Sequence, residues 1–155
     1  MKRNIITGGI VLLVVVAGVY VFTTGSSKPA LVQDAQATVL YDPTCGCCGN
    51  HAAYLERSGF QVERERVLDI SAVKAEYGIP QDLRSCHTTL VEGYVVEGHM
   101  PVEAIAKLLK ERPNIKGIAL PGMPQGSPGM GGNKIETWTV YALEKDGSYS
   151  VFMEM

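Results

Sequence analysis

Apolar and polar positions change rhythm several times along this chain. Lys2 and Arg3 precede IITGGIVLLVVVAGVYVF (5–22), eighteen residues without a charge. That length crosses a bilayer as a helix, and the basic pair before it leaves the N-terminus in the cytoplasm and exports the rest. A cleaved signal peptide is the competing reading, since TGS at 24–26 and AQA at 35–37 offer small residues to a peptidase. Residues 1–22 are therefore expected to be a signal or anchor helix. Residues 23–36, TTGSSKPALVQDAQ, are small and polar enough to serve as a linker.

From residue 37 the rhythm is that of a folded domain. ATVLY (37–41) reads as a buried strand. Asp42 or Thr44 is placed to cap a helix running from about Cys45 to Ser58, with Ala52 and Leu55 inward and Gly59 at its end. FQVERERVL (60–68) alternates as a strand with one wet face, and ISAVKAEYG (70–78) is a second helix. Two short strands, TTLVE and YVVEG, turn about Gly93. Pro101 then opens PVEAIAKLLKER, whose Val102, Ile105, Leu108 and Leu109 share one helical face. TWTVYAL and SYSVFME about EKDG predict a last hairpin that extends or covers the sheet. Between helix and hairpin, ALPGMPQGSPGMGGNK (119–134) has no periodicity. A stretch this long and rich in Gly and Pro is either a low-complexity linker or a functional loop.

This order of elements is that of a thioredoxin-like α/β domain spanning 37–155, with an added C-terminal β-hairpin. In that fold the first helix begins at a C-x-x-C, and the segment leading into the central hairpin passes beside it. Cys45-Gly46-Cys47-Cys48 occupies the first place and Ser85-Cys86-His87-Thr88 the second, so Cys86 is expected beside the other three cysteines.

Composition narrows the function classes. A net charge of −2 over 155 residues, with no basic cluster, excludes a nucleic-acid surface. Four cysteines in an exported chain ordinarily make two disulfides. Adjacent Cys47 and Cys48 are poorly placed to bridge each other. At best Cys45 pairs with Cys48, leaving Cys47 and Cys86 to pair or stay free. On a helix Cys45 and Cys48 would lie about 60° apart, with Cys47 about 100° from Cys48 and His51 between. The open N–H groups at a helix start favour thiolate, the form that binds metal.

Thiolates and thioethers select Cu(I), Zn or iron–sulfur clusters. Zinc sites usually bring two separated cysteine pairs, a spacing absent here. Three sulfurs within four residues suit bridging between several Cu(I) ions, and the thioethers of Met123 and Met130 favour copper further. His87 follows Cys86 and is a candidate ligand or supporting residue. His99, beside Met100 at the hairpin exit, is a candidate contact against an ordinary turn role. His51 sits at the edge of the helix's buried face, where a solvated or core-edge place is at least as well supported. Trp138 reads as core.

The blocks YDPTCGCCGNHAAYLERSGF, YGIPQDLRSCHTTLVEGYVVEGHMP and PGMPQGSPGM, in that order, resemble the signature of the CopG-like family of exported bacterial copper-resistance proteins. The resemblance covers 37–155. It implies a thioredoxin-like fold whose Cys45, Cys47, Cys48 and Cys86 hold copper as a sulfur-bridged multinuclear site, and a part in periplasmic copper handling that includes interconverting Cu(I) and Cu(II). His87, His99, Met123 and Met130 match family positions as well. The chain departs from the pattern at His51, where the family often has tryptophan, and at Tyr54, where it often has histidine.

The alternative is a thiol–disulfide oxidoreductase with Cys45 as nucleophile and Cys48 as resolving thiol. Cys47 inside the motif and the lack of a proline before the hairpin count against it. A third reading is a chaperone passing copper to a membrane exporter or other periplasmic copper proteins, with contact to the membrane only through the N-terminal segment.

Overall fold

The computed structural model describes residues 32–155. The segment 1–22, read as signal or anchor, lies outside them. Among the described residues no helix is long and apolar enough to cross a membrane. Val32, within the stretch read as linker, is fully buried in the core.

Seven strands form one mixed sheet in the order β2-β1-β3-β4-β5-β6-β7. They are β1 Gln36–Tyr41, β2 Gln61–Arg66, β3 Thr88–Val91, β4 Tyr94–Glu97, β5 Gly117–Ala119, β6 Thr139–Leu143 and β7 Tyr149–Glu154. The helices are α1 Cys48–Ser58, α2 Ile70–Glu76 and α3 Val102–Glu111, with a short 3-10 turn at Gln81–Leu83. β1 pairs parallel with β2 and β4 parallel with β5, while the remaining neighbours are antiparallel.

Strand alternation sends side chains to two cores, one on each face. Val39, Val91, Val96, Ile118 and Val140 pack with Ala52 and Leu55 of α1 and with Ile105 and Leu108 of α3. The opposite face carries a smaller cluster of Ile79, Leu83, Val95, Ala119 and Leu143. Each element follows from local chemistry. Asp69 caps α2 by accepting from the backbone of Ser71 at 2.9 Å and Ala72 at 3.0 Å. Gly59 closes α1 in the left-handed conformation. Glu92 and Gly93, both at positive φ, make the two-residue connection between β3 and β4.

Three expectations change. α1 begins at Cys48, not Cys45: Cys47 is its N-cap and makes no side-chain cap, while Asp42 accepts from Thr44 in the turn before it. Cys45 therefore lies outside the helix, and the fan of three sulfurs on one helix wheel does not apply. β2, expected to have one wet face, is a sheet edge exposed on both faces except at half-buried Val62. β5 was not predicted. It is three residues long and starts with Gly117, where a Cβ would lie 1.8 Å from the Val95 carbonyl oxygen. Glycine there is required by the close approach, and its low strand propensity hides the strand.

Candidate metal centre

The turn between β1 and α1 presents the first three sulfurs. Asp42 Oδ1 accepts from the Thr44 N–H at 2.7 Å and its hydroxyl at 2.6 Å, and the Cys45 N–H donates to the Asp42 carbonyl at 2.9 Å. This fold-back sets Cys45 beside the start of α1. Cys45 and Cys48 are joined as a disulfide, their Cα atoms 5.7 Å apart, and Cys47 and Cys86 are free.

Cys86 enters from the segment before β3. Its Sγ lies 2.6 Å from that of Cys45, 3.2 Å from Cys48 and 3.3 Å from Cys47. Two anchors hold the neighbouring Ser85. Its N–H donates to Glu97 Oε1 at 2.6 Å, and the residue is bridged to Gly122, whose N–H donates to the Arg84 carbonyl at 3.3 Å. Glu97 is itself fully buried. It is paired with Lys74 Nζ at 2.5 Å and accepts from the Thr88 hydroxyl at 2.7 Å. Burial pulls the Lys74 ammonium down and Glu97 opposes that shift. For Cys86 burial dominates, joined by the hydrogen bond and charge of Cys47; together they push the thiol up to about 12 against the pull of Lys74.

Beside the sulfurs stands a cluster of three fully buried histidines. The ring centroids of His51 and His87 are 4.7 Å apart, those of His87 and His99 4.8 Å, and those of His51 and His99 5.3 Å. His51 Nε2 meets the Met100 carbonyl at 3.0 Å, His87 Nε2 meets His51 Nδ1 at 2.9 Å, and His99 Nδ1 meets the Pro128 carbonyl at 2.8 Å. All three rings are held neutral near pH 7. Burial is the main cause each time, taking His51 down to about 4 and His87 well below its ordinary range, and lowering His99 too. His51, expected at the helix edge, is instead wholly enclosed. The glycine- and proline-rich stretch supplies the lid. Gly129, at φ +84°, packs so closely that a Cβ would lie 2.7 Å from the His51 backbone nitrogen.

These donors fit a soft cation. The four sulfurs lie mutually within 4.8 Å, and Cys86 with His87 and His99 forms a second such group. His87 Nδ1 and His99 Nε2 are buried without a hydrogen-bond partner, an arrangement that ordinarily costs free energy unless another group takes up the lone pairs. Met123 follows Gly122, the residue bridged in parallel to Ser85, and is 53 % exposed. Met130 is half-buried, next to Gly129. Met100 contributes its carbonyl to His51 while its side chain lies in the core. Trp138 is buried, as expected.

Lys74, Thr88 and Glu97 were not singled out from sequence. The signal for Lys74 was its place four residues after Ile70 and three before Tyr77, on the apolar stripe of α2.

Fold and site together define a mixed α/β protein with a cysteine cluster suited to metal. The chain is 41 % identical to the solved structure "Copper resistance protein copG- Form 1", with a TM-score of 0.72, over 79 % of this chain and 98 % of that one. Form 2 of the same protein matches at 41 % identity and a TM-score of 0.74, over 79 % and 99 %. A family model described as "Protein of unknown function, DUF411" matches residues 83–130. No curated protein matches the chain. The chain belongs to the CopG-like copper-resistance family.

Proposed function

We propose that this chain is an exported, periplasmic copper-binding protein of copper resistance, built on a thioredoxin-like core. It gathers Cu(I) in a multinuclear thiolate site made by Cys45, Cys47, Cys48 and Cys86, and interconverts Cu(I) and Cu(II) by exchanging one electron per copper with an external one-electron redox partner. The observation that carries this reading is the approach of Cys86 Sγ to within 3.3 Å of all three sulfurs of the C-G-C-C turn, from 38 residues or more along the chain. Cys86 also belongs to the group with His87 and His99, so one thiolate is placed to bridge a sulfur-only and a mixed sulfur–nitrogen set.

Bound copper supplies one-electron chemistry, and mixed thiolate and imidazole donors tolerate both of its oxidation states. The protein's own residues do the rest. Once an external dithiol has reduced the Cys45–Cys48 disulfide, the four thiols would release their protons to solvent as copper binds, and the charge of the cation would offset the burial that otherwise keeps Cys86 protonated. Neutral His87 and His99 present lone pairs, and the 120–134 loop with its half-buried Met130 shields them from water. Met123 at the rim offers a thioether where copper would enter from, or leave to, an exporter or another periplasmic copper protein. Segment 1–22 exports the domain and either tethers it or is cleaved.

The disulfide between Cys45 and Cys48 favours a second reading, a thiol–disulfide oxidoreductase. Anaerobic Cu(I) titration of the fully reduced chain separates the two. Several equivalents bound with thiolate-to-copper absorption support the copper site. No binding, together with rapid disulfide exchange with a model dithiol, hands the cysteines to the second reading.

A further inference from the structure

We infer that His51 is a positioning residue that fixes the tautomer of His87, leaving the Nδ1 of that ring without a proton in a cluster that includes Cys86. The inference deepens the copper reading and rests on it for its purpose, though its geometry stands alone.

The assignment runs from a backbone oxygen inward. The Met100 carbonyl can only accept, so the His51 nitrogen 3.0 Å away, Nε2, must carry a proton. In a neutral ring the other nitrogen then has none, so His51 Nδ1 is an acceptor. His87 Nε2, 2.9 Å from it, must therefore be the donor. That leaves the proton of His87 on Nε2 and a lone pair on Nδ1, the buried atom with no hydrogen-bond partner. His99 is set in the opposite sense by a different carbonyl. Its Nδ1 donates to Pro128 at 2.8 Å, leaving Nε2 bare and likewise unpartnered.

Two carbonyls thus leave one lone pair on each of two rings whose centroids are 4.8 Å apart. Each ring also has a nitrogen grouped with Cys86 Sγ within 4.8 Å. No solvent competes for the His87 N–H, because all three rings are fully buried and Gly129 packs against the His51 backbone. Among the described residues His51 Nδ1 is the acceptor that this N–H meets. A ligating histidine ordinarily has its second nitrogen fixed by a carboxylate, carbonyl or water; here another imidazole, itself tied to a carbonyl, fills that role.

The test uses the full chain, ¹⁵N-labelled, reduced and metal-free in detergent. Long-range ¹H–¹⁵N correlation spectra report the tautomer of each ring directly. The wild type should show His87 protonated at Nε2 with Nδ1 bare, and His99 protonated at Nδ1. His51→Gln can accept from His87 through its amide oxygen and donate to Met100, so it should keep the His87 tautomer and near wild-type copper affinity. His51→Leu offers no acceptor. It should give mixed His87 tautomers and lose about 10- to 100-fold in copper affinity. A wild-type His87 protonated at Nδ1 overturns the inference, as does a His51→Leu protein with unchanged tautomer and affinity. Because the tautomers are read without metal, failure of the wild type to bind copper would count against the proposed function alone.

Discussion

Lys74→Met isolates the buried ion pair that underlies the Cys86 segment. The Lys74 and Glu97 side chains are 4 % and 0 % exposed, and the Glu97 carboxylate also accepts from the Ser85 N–H and the Thr88 hydroxyl. Removing the ammonium leaves an uncompensated carboxylate in the interior. Breaking one side of a buried pair typically costs about 3–5 kcal/mol. With a urea m-value of about 1–3 kcal/mol/M, the unfolding midpoint should fall by about 1 M or more. Trp138, the one tryptophan of the chain and only 7 % exposed, reports unfolding of the reduced, metal-free protein by fluorescence. Adding Glu97→Gln to Lys74→Met removes the second charge but keeps an oxygen for the Ser85 N–H. Most of the lost stability should return, because replacing both charges is often close to neutral. A Lys74→Met protein within about 1 kcal/mol of wild type, well below the cost of breaking such a pair, would refute the role assigned to it.

Two further predictions concern the histidines and their cover. The folded pKa of His51 is depressed from about 6.5 to about 4, so the unfolded chain binds more protons between these values. Stability contributed by the neutral ring is therefore full above pH 6.5 and lost as pH falls toward 4; His51 alone should cost about 2 kcal/mol at pH 5. His87 and His99 shift in the same direction and add to the loss. Urea midpoints that stay level from pH 7 to pH 5 would contradict this. Gly129→Ala combines a positive φ with a Cβ 2.7 Å from the His51 nitrogen. It should destabilise by about 1–3 kcal/mol and speed proteolysis of the 120–134 loop, whereas unchanged cleavage would show that the loop does not seal the cluster.

Periodicity made much of the sheet and helix order legible, because alternating strands and one-sided helices announce themselves in single segments. It also brought Cys86 to the C-G-C-C turn, since that convergence follows from the order of elements. Where local signals were weak or misleading, the reading failed. The expected cap at Asp42 or Thr44 set the start of α1 at Cys45, but the Asp42–Thr44 turn holds Cys45 outside the helix. A three-residue strand beginning with glycine carries no period at all. His51 looked like an edge residue because its enclosure comes from Gly129, nearly eighty residues later in a loop without pattern. The carbonyls of Met100 and Pro128, which set the rings, are backbone atoms that no side-chain pattern reveals. The Lys74–Glu97 pair was hidden for a related reason: the two charges lie twenty-three residues apart in separate short elements, α2 and β4, and only the fold joins them.

Copper-edge X-ray absorption on the anaerobically loaded, reduced chain tests the shared thiolate site most directly. A first shell dominated by sulfur, with copper–copper scattering behind it, is the expected result. A shell of nitrogen and oxygen alone, with no sulfur, would contradict the account.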